Sequence, residues 1–237
     1  MTQIDTLFDR MDAWRHFPSY QLERRADLFF ALYLVEVLEA NLGFPLCPEL
    51  IPEFPARIGT IYPDDPANNQ SCKIDYVALS AARDKVVFVE LKTEALSRRS
   101  EQDAYLLAAQ KAGLRALLEG LLDIFRATKS KQKYYCLLAY LERMGLLRLP
   151  EGMKEIMAQP TLRGVNQASR QVEIKVDPAE SLIRYVQPNG RGENVIPFRD
   201  FATVVRKHDD PVSQRFARSL LEWATVQAGE KPAGQGA

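Results

Sequence analysis

Asp75, Glu90 and Lys92 are the residues of this chain whose types and spacing could do chemistry. They lie in the stretch Lys73 to Lys92, KIDYVALSAARDKVVFVELK, in which Ile74–Leu79 and Lys85–Leu91 are rich in Val, Ile, Tyr and Phe and flank a polar break at Arg83 and Asp84. That pattern predicts two strands and a tight turn. With the turn centred between Ala82 and Arg83, Leu79 faces Val86, Val77 faces Phe88, Asp75 faces Glu90 and Lys73 faces Lys92. Side chains alternate along a strand, so all these pairs share one face.

That face is apolar near the turn and charged at the open end. Two carboxylates in direct opposition repel each other unless a cation lies between them. A hard divalent ion such as Mg²⁺ takes oxygen ligands, and Asp75, Glu90 and the backbone carbonyl of Leu91 would supply them. Lys92, two residues after Glu90 and therefore beside it, is placed to orient or help deprotonate an attacking water and to steady charge on a phosphate. The plainer alternative is a salt-bridged edge of an ordinary hairpin. An Asp at the matching cross-strand position, on a face otherwise built for burial, favours the metal.

Asp75 followed by Glu90-Leu91-Lys92 at the end of the next strand, with a long helix before and another after, resembles the PD-(D/E)XK nuclease superfamily. The family pattern of helix, three antiparallel strands, helix and a further strand would cover roughly residues 19–141. The resemblance implies a restriction-endonuclease-like core in which Asp75 and Glu90 hold Mg²⁺ and Lys92 assists a water that attacks a phosphodiester. Ile74 stands where the family pattern has Pro before the Asp.

The chain has 237 residues, enough for a substantial core. Its 31 basic and 31 acidic residues cancel, so any nucleic-acid contact must rest on local patches rather than a global field. Cys47, Cys72 and Cys136 are odd in number and lack CxxC spacing, and His16 and His208 are the only histidines. A zinc site and Ser/His/Asp catalysis are therefore poorly supplied, and a reducing compartment is expected. The N-terminus has no basic start followed by an apolar run, and no apolar stretch is long enough to span a bilayer, so a cytoplasmic protein is expected.

The elements that must position the charged face follow in order. Ser19 to Asn41 reads as a helix ending at Gly43, with Glu23 and Asp27 on one face of its first turns. If the strands alternate in direction, this helix start lies at the charged end of the hairpin, and the superfamily often has a Glu there. Glu23 is the match in type, with Asp27, Glu36 and Glu39 as alternatives, and an acid in a first helical turn also simply meets the macrodipole. The proline-rich segment Pro45 to Gln70 can supply only short or edge strands. A helix from about Glu101 to Ala127 starts near the proposed site, with Ser100 and Asp103 as a capping box. Arg98, Arg99, Gln102 and Tyr105 would meet a phosphate backbone there. RecB-like members resemble this region through a Gln and a Tyr on the same helix. Tyr134 to Leu141, a continuous apolar run, reads as a buried strand completing the sheet.

Beyond about Pro150 the chain reads as a short helix at Glu151–Ala158, strands at Gln171–Val176, Leu182–Val186 and Val195–Phe198, and a closing helix from Pro211 to Gln227. The expected organisation is α/β: a nuclease-like core over 1–150 with a mixed sheet flanked by helices, a C-terminal α+β extension over 151–228, and a disordered tail over 229–237. The expected activity is Mg²⁺-dependent hydrolysis of DNA, with Mn²⁺ as a substitute and a homodimer or larger complex as an open possibility. The rival is a non-catalytic module that keeps the fold to bind nucleic acid or a protein partner.

Overall fold

The computed structural model describes residues 2–94 and 100–225, with side chains from 103 onward in the second span. In chain order the elements are α1 (Gln3–Trp14), α2 (Leu22–Leu42), β1 (Ile51–Arg57), α3 (Ile58–Ile61), β2 (Ser71–Leu79), β3 (Lys85–Leu91), α4 (Ser100–Ala127) and α5 (Lys131–Arg143). They continue with β4 (Leu147–Arg148), α6 (Met153–Met157), α7 (Val165–Ser169), β5 (Glu173–Ile174), β6 (Glu180–Gln187), β7 (Val195–Pro197), α8 (Phe198–Val205) and α9 (Pro211–Thr225). The result is an α/β protein with a five-stranded mixed sheet, order β1-β2-β3-β6-β7, flanked by helices, and a small two-stranded sheet of β4 and β5. The chain divides into two units, 1–50 with 89–100 and 183–237, and 51–88 with 101–182.

In the second unit, the turn of the hairpin has the pairing of Ser80 with Lys85 that the sequence predicts. Ser80 N–H donates to the Lys85 carbonyl at 3.0 Å and Arg83 N–H to the Ser80 carbonyl at 2.9 Å, which closes the turn. Arg83 sits at φ 60° in that turn, and its guanidinium donates to the Met144 and Gly145 carbonyls at 2.6 and 3.1 Å. β1 pairs antiparallel with β2 and carries Pro52 and Pro55. A proline cannot donate to a ladder, so these two residues suit only an outer strand, which is where β1 lies. The helix after the hairpin runs from Ser100 to Ala127 but breaks at Gly113, whose φ of 78° and ψ of 160° are outside helical geometry. Gly120 has another role: a Cβ there would come within 2.3 Å of Thr60 Oγ1, so the missing side chain lets α4 lie against the α3 turn.

One expected strand is a helix. Tyr134 to Leu141 lies inside α5. A continuous apolar run carries no period that separates a buried strand from a helix. Here Leu138 and Leu141 are buried three residues apart while Cys136 is exposed, which is helical spacing. The place beside β3 is taken instead by β6. Asp84 accepts from Glu180 N–H at 3.2 Å and Lys92 donates its N–H to Val186 at 2.8 Å, so the two strands advance in the same direction. β6 also pairs parallel with β7, so both of these late strands belong to the main sheet. α8, which follows β7 directly, is not among the elements the sequence predicts. The proposed tail over 229–237 lies outside the described residues.

In the first unit, α2 ends at Gly43, left-handed at φ 76°, its N–H bonding back to Glu39. It begins at Leu22 with Gln21 as cap, three residues later than Ser19. α1 opens with a reciprocal capping box between Thr2 and Asp5. An aromatic core joins α1, α2, α8 and α9: the Phe30 ring lies 5.2 to 5.3 Å from Phe198, Phe201 and Phe216. Asp12 of α1 ties to α9 by accepting from Arg215 Nη2 at 2.7 Å, Trp223 Nε1 at 2.7 Å and Ser219 Oγ at 3.1 Å.

Candidate active site

β3 and the residue after it deliver two of the expected residues, and the first turn of α2 delivers a third. Alternation puts Glu90 and Lys92 on one side of the strand, and the Lys92–Val186 backbone bond keeps Lys92 in the ladder beyond the strand's last residue. Lys92 Nζ lies 2.7 Å from Glu90 Oε1, and the two side chains are only 5% and 2% exposed. Glu23, 35% exposed, places Oε2 at 3.8 Å from the same ammonium. Two carboxylates of the first unit thus converge on one cation. Glu23 also stands in the first turn of α2, where the helix dipole favours negative charge. Thr93 is buried beside this pair in sequence and Glu94 is exposed.

Asp75 lies on β2, half-buried, and is described with the second unit. Leu91 is the last residue of β3 and is buried. Tyr105 is half-buried on α4. Arg98 and Arg99, together with the side chains of Ser100 and Gln102, lie outside the described residues. The alternatives in α2 have other engagements: Asp27 Oδ1 accepts from Leu28 N–H at 2.7 Å, Glu36 Oε2 lies 2.6 Å from His208 Nε2, and Glu39 Oε1 accepts from Leu46 N–H at 2.8 Å. Glu53 pairs with Lys73. Among the described residues, no group of three or more His, Cys, Asp and Glu side chains is arranged to hold a metal ion, and no helix is long and apolar enough to cross a membrane.

Arg15, at the end of α1, has no signal in the sequence because its burial depends on how the helices pack. It is 8% exposed, its guanidinium sits 5.6 Å over the Trp223 ring, and its Nη1 has no hydrogen-bond partner among the described residues. Burial pulls its pKa below the usual arginine value, against the opposing pull of Glu94 and Asp12.

Fold and cluster together define an α/β protein with a helix-flanked mixed sheet and a buried lysine–carboxylate pair at the end of a strand of that sheet. Neither protein-family models, nor curated proteins, nor solved structures match this chain.

Proposed function

We propose that this chain is a Mg²⁺-dependent nuclease of the PD-(D/E)XK type that hydrolyses phosphodiester bonds in DNA. The observation that carries the reading is the buried pair of Lys92 and Glu90 with Glu23 at its edge. Charges this far from water are costly to keep, and such pairs concentrate at functional sites.

The donor set suits a hard ion, because oxygen ligands from two carboxylates already converge on a cation, the Lys92 ammonium. Glu90, the Leu91 carbonyl and Asp75 would hold Mg²⁺, with Mn²⁺ as substitute and Glu23 as an outer ligand. Asp75 enters from the sequence register of the hairpin. The ion, when bound, supplies Lewis acidity to a phosphate oxygen. Lys92 would orient the attacking water and a phosphate oxygen, with Glu90 fixing the ammonium in place. Arg98, Arg99, Gln102 and Tyr105 would follow the DNA backbone. Reduced thiols at Cys47, Cys72 and Cys136 suit the cytoplasm.

The close pairing of Lys92 with Glu90 also favours a second reading, a non-catalytic module in which the lysine only neutralises a buried acid. Calorimetric titration with Mg²⁺ and Mn²⁺ separates them. The nuclease reading predicts binding heat that Asp75→Asn and Glu90→Gln abolish. No heat with the unaltered chain would leave the non-catalytic module standing.

A further inference from the structure

On the outward side of α2, Leu28 is 73% and Leu32 is 68% exposed, one helical turn apart. The opposite side of the same helix buries Leu22, Ala26, Phe30, Tyr33, Leu34, Val37 and Leu38, so the helix is already fully docked without these two leucines. They belong to a longer stripe. Arg25, Leu28, Leu32, Val35 and Glu39 alternate in steps of three and four residues, the spacing of a coiled-coil seam. The 21 residues of α2 span about 30 Å, long enough for a helix-pair interface.

We propose that this stripe is the seam of a two-fold homodimer in which α2 packs antiparallel against α2 of a second copy. The charge order along the stripe selects both the partner and the direction. Arg25 stands to one side of the leucines and Glu36 and Glu39 to the other. An antiparallel pair about an axis between Leu28 and Leu32 sets each Leu28 on the partner's Leu32. It brings each Arg25 level with the partner's Val35 and Glu36, on the same edge of the seam. A parallel pair would stack Arg25 on Arg25 and lose this match. One patch that is both apolar in its centre and opposite in charge at its ends is its own complement, as an isologous interface requires. Glu36 bonds His208 through Oε2 within the chain, and a carboxylate has a second oxygen to offer. Glu23 points away from the stripe, since it lies about 140° around the helix from Leu28 at 100° per residue. The dimer and the nuclease reading therefore stand independently.

Sedimentation equilibrium on the full chain tests this. The unaltered chain is expected to be a dimer and Leu28→Glu a monomer with an unchanged circular dichroism spectrum. Arg25→Glu and Glu36→Lys each place like charges together across the seam and raise the dimer Kd at least tenfold. An equimolar mixture of the two restores a dimer, because each then meets its opposite in the other. A monomeric unaltered chain overturns the proposal, whether the leucines serve another protein or a lipid surface instead. A dimeric Leu28→Glu chain, charge variants that dimerise as before, or a mixture no heavier than its components would do the same.

Discussion

Lys92 Nζ lies 2.7 Å from Glu90 Oε1 with both side chains almost wholly out of water, so the charge of each depends on the other. Breaking a buried ion pair by removing one partner costs about 3–5 kcal/mol. Glu90→Gln and Lys92→Met should each lower stability by an amount in that range. The double change Glu90→Gln, Lys92→Met should cost clearly less than the sum, and urea unfolding of the four proteins gives the coupling energy directly. Additive losses would mean that the two groups do not share their charge.

Arg15 predicts the opposite sign for a buried charge. Its Nη1 is buried without a hydrogen-bond partner among the described residues, while its stem and guanidinium cover Trp223. An unsatisfied buried donor destabilises by about 1–3 kcal/mol, so Arg15→Met, which keeps the covering stem, should leave thermal stability unchanged or raise it. A lowered melting temperature would mean that the attraction of Glu94 and Asp12 outweighs the unsatisfied donor.

Asp210 precedes Pro211, the first residue of α9, and accepts from Ser213 Oγ, from Ser213 N–H at 3.0 Å and from Val212 N–H at 2.9 Å. The Ser213 bonds hold its carboxyl below the ordinary aspartate value. A depressed folded pKa means that the stabilisation is complete above the unfolded value and is lost as pH falls through the folded one. Asp210→Ala should therefore lower the melting temperature most near neutral pH, with a gap that narrows as the medium becomes strongly acidic. A gap independent of pH would remove the charge from this cap.

Gly120 sets a steric test. A methyl group placed there meets Thr60 Oγ1 at 2.3 Å and Cβ of Arg57 at 3.1 Å. Gly120→Ala should cost about 1–3 kcal/mol despite the better helix propensity of alanine. Adding Thr60→Ala should recover part of that loss in denaturant unfolding.

What the sequence disclosed follows from which signals are local. The hairpin was legible because alternation and the turn at Arg83 both act within a few residues, and the Ser80–Lys85 bond keeps the register they imply. Pro52 and Pro55 marked β1 as an outer strand, and Gly43 marked the end of α2. The Tyr134 to Leu141 segment was misread because its apolar run offers no period, and half-buried tyrosines fill positions that a shorter polar residue would have marked. That β6 lies beside β3 depends on a connection running from residue 92 to residue 179, which no local pattern encodes. Within the site, the adjacency of Glu90 and Lys92 follows from strand alternation alone. The approach of Glu23 required a topology, and Arg15 required the packing of α1 on α9, where Trp223 sits.

The Lys92–Glu90 pair is proposed to serve phosphodiester hydrolysis. Cleavage of end-labelled single- and double-stranded DNA tests it, in Mg²⁺ or Mn²⁺ and in chelator, with Lys92→Met and the double variant confirmed folded by circular dichroism. Metal-dependent cleavage is expected from the unaltered chain, falling at least a hundredfold in both variants, the scale expected when a positioned charged group is lost. Folded Lys92→Met protein that cuts as fast as the unaltered chain would contradict it.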